Sequence, residues 1–595
     1  MKNSEKGKKQ IGQLAALLCI LVVLCGFVAQ KEGYHMDELL SFELSNAAFN
    51  PWIVPTQPEG RLAKFMREEI YGDTFGQTLS NLKGTVQDVM TNKGNSKILG
   101  YKADVYPEPV WITAGQFQDY LTVDGKDPFN YFSVYFNVKD DNHPPLHFML
   151  LHTMCSVFQG VVAPFQGCVI NILAVLGCCI CFFRLGSLLE EKKIISEGYG
   201  SLWGICAGLL YGISAGAVAT TLLIRMYGLV TFFCVMSFTL HVKKWLEKGF
   251  ERKNKGLVAV TVLGFLTQYF FLFYCIALAA VTTGLLIAKK RYRECRAYLR
   301  SMIFAAVIGV AVFPFSIQDV FASGRGTEAL GNLSRGLSGY GARLSAFWAI
   351  LVKGSFGSVL AGIVILIFLA AGCGYLAVRK RKEEGAQEEV QWDREKPLWL
   401  MLLVPAGCYF LLAARMSPYL VERYLMPLFP FSAILLTLAI GTVCKTLHTG
   451  NRYWLLVPVC AVCVLNVWTY DGEYLFKGYH RQLEVAEQHE ALPCICLYEG
   501  TGYYYNLEEF MCYERTLLLQ LPELEERQEA SDLTALEQVV VVRKSNVEEG
   551  QALTALEKYG LEVEEILLEA GDSVYGDTVY LCGRNKEQSG TLSGP

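Results

Sequence analysis

Long apolar runs separated by short polar breaks fill most of the chain between Ile11 and Trp468. The first extends from Ile11 to about Val28. Others follow at Pro145–Val162, Phe165–Leu189, Leu202–Leu223, Gly228–Val242, Gly256–Ala288, Met302–Ile317, Phe347–Val378, Pro397–Ala414, Tyr424–Cys444 and Trp454–Trp468. A helix of roughly 20 apolar residues crosses about 30 Å of hydrocarbon, and Gly256–Ala288 is long enough for a hairpin. The pattern predicts an α-helical polytopic membrane protein with roughly eleven to thirteen crossings.

Two regions break this pattern. Lys31–Asn142 has mixed charge and short amphipathic stretches such as "RLAKFMREEIYG" from Arg61, and if Met36–Ala48 is helical, Met36, Leu39 and Leu40 form an apolar stripe. A connection this long is uncommon unless it is functional. After Tyr470 the runs shorten to strand type: "CICLYE", "TLLLQL", "VVVVRK" and "DTVYLCGR". "GQALTALEKYG" has helical spacing and ends at Gly560, a C-cap residue. The expected organisation is a first transmembrane helix (1–30), a long loop with juxtamembrane helices (31–142), a multi-span domain (143–470) and a small α/β domain (471–595). The closing "NKEQSGTLSGP" is expected to be disordered.

Charge sets the expected orientation. The flank "MKNSEKGKKQ" and the loops "KKWLEKGFERKNK", "KKRYRECRAYLR" and "RKRKEE" are basic and therefore expected on the cytoplasmic side. That places 31–142, "IRMYG" (Ile224–Gly228), "RMSPYLVERY" (Arg415–Tyr424) and the C-terminal domain outside a plasma membrane. A cleaved signal peptide is the other reading of the first run, but the many later spans do not need one. Three runs lie between Asn142 and "IRMYG", an odd number joining two points on one side. Either one run fails to cross or one contains a hidden pair.

Composition agrees with a membrane protein: 52% of the 595 residues are hydrophobic and 18% charged, with a mean hydropathy of +0.29. The net charge of −4 provides no basic field for nucleic acid. Most of the 20 cysteines fall in apolar runs, where a thiol is a small hydrophobe. Cys494, Cys496, Cys512 and Cys582 fall in the tail, where a disulfide of unreadable connectivity is open.

Four polar features interrupt the apolar pattern. "GYHMDELLSF" places Asp37 and Glu38 directly after the first span. Adjacent helical residues point about 100° apart, so one carboxylate can face a cavity while the other holds the helix. Acidic residues also simply stabilise a helix N-terminus. "KDDNHPPLHFMLLH" gathers Asp140, Asp141, Asn142 and His143 ahead of two prolines that fix a helix start, with His147 and His152 further down. Asp141 and His143 leave a divalent-metal site conceivable, and no other cofactor is expected. "LLIRMYGL" buries Arg225 and Tyr227 in apolar sequence, where an ionisable group is a functional candidate by default or snorkels to the interface. "SPYLVERYLMPLFP" opens a span with Arg423 and Tyr424; Glu422 can pair with Arg415 or Arg423. The glycine-rich "SGRGTEALGNLSRGLSGYGAR" from Ser323 reads as a loop that could serve as a lid.

In this order the four motifs resemble the GT-C type bacterial membrane glycosyltransferases of family 39. That group includes the protein O-mannosyltransferases, the lipid A aminoarabinose transferase and Rgt-type enzymes. The resemblance covers roughly Ile11 to Tyr470. It implies an inverting hexosyl or pentosyl transfer from a polyprenyl-phosphate sugar to an acceptor hydroxyl at the outer face. It also implies Asp37 as general base and Glu38 as its acidic neighbour. His143, Arg225, Tyr227, Arg423 and Tyr424 would contact the donor phosphate or substrate. The partners implied are the lipid-linked donor, membrane lipid and an acceptor protein, polysaccharide or glycolipid. The chain departs from the pattern where Leu222, Leu223 and Ile224 precede "RMY" and where His147 follows "HPPL". Two other classes remain open, a transporter or lipid-linked-sugar flippase and a non-catalytic scaffold. Neither accounts for acidic, histidine and arginine features gathered on one face, and a transporter should show internal repeats, which the chain lacks.

Overall fold

The computed structural model describes residues 2–125, 127–252, 254–334, 336–381, 387–447, 451–527 and 531–584. The closing "NKEQSGTLSGP" and part of "RKRKEE" lie outside the described residues. The chain divides into two compact units. One comprises 1–30, 138–147 and 167–474; the other joins 31–137, 148–166 and 475–595. The long early loop and the C-terminal region, read separately in the sequence, thus build one body.

The first unit is helical. Among the described residues, eight helices are long and apolar enough to cross a membrane, or up to ten if two bent pairs each count as one span. This is fewer than the eleven to thirteen expected, because several runs are broken or short. The Leu202–Leu223 run is two helices, Gly200–Gly212 and Ala215–Leu222, bent by 59°. Tyr340–Phe356 and Val359–Gly374 are bent by 84°. Gly256–Ala288, long enough for a hairpin, forms two helices, Lys255–Phe265 and Phe271–Ala288, of which the first has only 11 residues.

The Pro145–Val162 run yields the 12-residue helix Leu146–Val157. At 1.5 Å per residue it covers about 18 Å, short of the roughly 30 Å of a bilayer core. Without it, and with the bent pair Gly200–Leu222 counted as one span, two spans lie between Asn142 and Ile224, an even number that joins two points on one side. The glycine-rich stretch expected as a loop is largely a helix, Gly324–Ser334.

The break at Ser214 is held by polar side chains. Ser214 caps the Ala215–Leu222 helix by accepting the Ala217 N–H at 3.1 Å, and Asn466 accepts the Ala215 N–H at 2.9 Å. Polar side chains from neighbouring helices thus satisfy backbone groups that lipid could not.

Among the described residues, the second unit is built on a six-stranded sheet: β1 (Ile112–Thr113), β2 (Cys494–Leu497), β3 (Arg515–Leu519), β4 (Gln538–Arg543), β5 (Leu561–Leu568) and β6 (Thr578–Arg584). Their order is β1-β3-β2-β4-β6-β5. β2 pairs in parallel with β3 and β4; the remaining pairs are antiparallel. Every residue of β2 is buried, as expected of a central strand covered on both faces. The expected helix forms over Glu549–Glu557, and Gly560 takes a φ of +75°. Two strands were not foreseen: β1, supplied by the early loop, and β5. Cys494, Cys496 and Cys582 are buried in the sheet, and each, like Cys512, is a free thiol.

Candidate functional site

In the second unit, the Met36–Asn46 helix carries both acidic candidates. His35 is its N-cap: His35 Nδ1 accepts the Asp37 N–H at 3.1 Å, and Glu38 Oε2 accepts the His35 N–H at 2.7 Å. This reciprocal capping box fixes the first turn. Lys31 Nζ donates to the same Glu38 oxygen at 3.0 Å, with both side chains 0% exposed. The Lys31 ammonium also lies over the rings of Phe476 and Tyr34, at 5.0 and 5.5 Å. Asp37 differs: its side chain is 22% exposed, with Oδ2 3.6 Å from His35 Nδ1. Because that nitrogen accepts the Asp37 N–H, it carries no proton, and the approach is not an ion pair. Adjacent in sequence, the two carboxylates occupy different environments.

Further along this helix, Glu43 is fully buried near Tyr120, Tyr503 and Tyr504, and burial pushes its carboxyl well above the ordinary range. The sequence reading missed it. An acidic residue inside the apolar spacing of this helix was the available signal.

In the first unit, the chain reaches the double proline through the short turn Val138–Asp140. The following helix begins at Leu146, whose N–H donates to Leu266 O at 3.0 Å. His143 Nδ1 lies 3.0 Å from Asp141 Oδ2 and 3.5 Å from Arg225 Nη2. One ring nitrogen cannot donate to the carboxylate and accept from the guanidinium. The shorter contact identifies Nδ1–H as donor to Asp141, leaving Arg225 as a neighbouring charge. Burial disfavours the Asp141 carboxylate, but His143 and Arg225 together outweigh it and hold the carboxyl below its ordinary value.

Arg225 is 4% exposed and sits in the break between Ala215–Leu222 and the helix Tyr227–Leu246. Asn171 donates to Leu223 O at 2.7 Å, supplying a partner that the interrupted ladder lacks. Gly167 lets its helix approach this break, because a Cβ there would stand 2.0 Å from Ile224 Cγ2.

Tyr227 and Tyr424 meet edge to face with ring centroids 6.4 Å apart, and Phe270 lies 5.4 Å from Tyr424. Arg423 projects from the turn Glu422–Leu428 and lies over the ring of Tyr424. Arg415, an expected partner of Glu422, donates instead to Leu333 O and Gly336 O. The structure therefore brings His143 to Arg225, and Tyr227 to Tyr424. It also shows a pair that sequence reasoning missed: the Tyr269 hydroxyl donates to Asp319 Oδ2 at 2.6 Å. Burial, with Asp319 beside it, raises the Tyr269 phenol. An acid just after the Met302–Ile317 run was the signal for Asp319.

Among the described residues, no group of three or more His, Cys, Asp or Glu side chains could hold a metal ion. Asp141 and His143 are hydrogen-bonded to one another beside a guanidinium, which would repel a cation, so they fit a divalent metal poorly.

No family model matches the chain, and no curated protein matches it. Among solved structures, it is similar to the crystal structure of ArnT from Cupriavidus metallidurans bound to undecaprenyl phosphate. The identity is 10% over 98% of this chain and 99% of that one, with a TM-score of 0.50. The apo state of the same protein aligns at 11% identity over 74% of this chain and 87% of that one, with a TM-score of 0.42. At such identity the first likeness concerns the fold. The chain is an α-helical polytopic membrane protein of GT-C glycosyltransferase-like fold, with a small C-terminal α/β region.

Proposed function

We propose that this protein is a membrane glycosyltransferase that moves a sugar from a polyprenyl-phosphate carrier to an acceptor hydroxyl on the outer face of the cytoplasmic membrane. The observation that carries the reading is Arg225, a buried guanidinium at a break between two apolar helices, with His143 beside it. A buried cation at such a break suits an anionic lipid phosphate better than any neutral substrate. A fold shared end to end with a protein crystallised with undecaprenyl phosphate supports the same donor class, by analogy of fold.

In this reading Asp37 accepts the proton of the acceptor hydroxyl, and the acceptor oxygen attacks the anomeric carbon. The bond from that carbon to the phosphate oxygen breaks, and the polyprenyl phosphate departs as an anion that needs no general acid. Arg225, Arg423 and His143 stabilise the phosphate as its charge grows; Tyr227 and Tyr424 line the donor's path. Glu38 holds the helix and takes no proton.

The test is reconstitution of the purified full chain in vesicles with a panel of polyprenyl-phosphate-linked hexoses and pentoses. Release of polyprenyl phosphate, dependent on an added acceptor, is the expected result. Movement of the intact donor between leaflets without cleavage would instead identify a flippase and overturn the reading.

A further inference from the structure

The helices Lys255–Phe265 and Tyr292–Val312 belong to the first unit and lie side by side. They are tied at both ends. Asn254 Nδ2 donates to Ser301 Oγ at 3.1 Å. At the other end Phe265 packs on Gly309, where a Cβ would stand 2.7 Å from the ring. Between the ties an open cleft of about 810 Å³ remains, with Val258, Ala259 and Val262 along one side. Its walls are almost wholly apolar, with Val262 and Leu263 on one side and Phe304 and Ile308 on the other. Two exposed cations, Lys255 and Arg300, stand at the Asn254–Ser301 end.

The polarity of this cleft is therefore graded. Cations and a hydroxyl stand at one end, and an open apolar groove runs from there alongside a helix of membrane-spanning character. Over the eight residues from Ser301 to Ile308 the groove extends about 11 Å, the reach of the upper part of an acyl chain. Lys255 closes one basic loop and Arg300 another, so the charged mouth faces the side on which positive charge is expected to gather. Cationic pockets between membrane helices on that side recognise anionic headgroups.

We propose that this cleft is a binding site for an anionic phospholipid. The phosphodiester sits between Lys255 and Arg300, and one acyl chain lies along Val262 and Phe304. The site is independent of the sugar-transfer chemistry and does not rest on the function proposed above.

Native mass spectrometry of the full chain tests this, comparing dioleoyl phosphatidylglycerol with dioleoyl phosphatidylcholine, which share their acyl chains. Preferential retention of phosphatidylglycerol is expected. Lys255→Gln with Arg300→Gln should weaken that retention on the order of 30-fold, given the usual contribution of a cation near a lipid surface. Lys290→Gln with Arg293→Gln, a charge-matched change outside the cleft, should leave it unaltered. Val262→Phe, which fills the groove and keeps both charges, should also reduce retention. Equal retention of the two lipids, equal loss in the charge-matched control, or full retention by Val262→Phe would each overturn the proposal.

Discussion

Lys31 and Glu38 face one another at 3.0 Å with both side chains withdrawn from solvent, and Glu38 also accepts the N–H of the N-cap residue His35. The pair joins the segment ahead of the Met36–Asn46 helix to its first turn. Removing one partner strands a buried charge, which costs about 3–5 kcal/mol. Glu38→Gln should therefore lower the melting temperature of the full chain markedly, and Lys31→Met with Glu38→Gln should recover part of the loss. A melting temperature unchanged by Glu38→Gln would show that the ion pair does not hold this helix.

Asp37 lies one residue away and is partly exposed, so its replacement should spare the fold. Asp37→Asn keeps the backbone N–H that His35 accepts and removes only the base. Turnover with a lipid-linked donor should fall by roughly 10²–10⁴-fold, the usual contribution of a general base, while donor affinity and melting temperature stay near wild type. Turnover at wild-type level would exclude Asp37 as the base.

These two neighbours show what could be read from sequence. The identity of the acidic pair and its place after the first span were legible, and adjacency implied different directions for the two side chains. The partner of Glu38 was not, because Lys31 looked like one more charge in a polar loop. The same limit explains the helix breaks. The Leu202–Leu223 run is apolar throughout, and its break at Ser214 depends on Asn466, more than 250 positions away. β5, "LEVEEILL", shows no alternation because it is an edge strand with five consecutive exposed residues, and its pairing with β6 makes it a strand. Likewise, His143 and Arg225 were each legible as candidates, but their approach to 3.5 Å follows only from the fold.

Arg225 offers the sharpest test of the phosphate assignment. A charge-assisted hydrogen bond contributes about 1.5–3 kcal/mol, so Arg225→Ala should weaken donor binding roughly 10- to 100-fold. Lys cannot reproduce the planar guanidinium fork, so Arg225→Lys should restore only part of this. Arg423→Ala should weaken binding in the same direction. Normal donor affinity in both alanine variants, measured with a fluorescent polyprenyl phosphate, would remove the assignment.

The α/β region should also respond to pH. Glu508 and Glu509 are each pushed up to about 8, chiefly by burial. Asp577 adds to the effect at Glu509, while Lys544, 2.6 Å from Asp577, opposes it. The ordinary glutamate value is 4.5, so the folded form retains protons that the unfolded chain releases. A raised carboxyl value contributes stability that is complete below about 4.5 and lost as pH rises to about 8. Hydrogen exchange of peptides covering β2 to β4, corrected for intrinsic pH dependence, should therefore show weaker protection at pH 8.5 than at pH 5. Glu508→Gln with Glu509→Gln removes both titrating groups and should flatten the profile between these limits. Protection that rises with pH in the wild-type chain would mean that these carboxyls are ionised in the folded state.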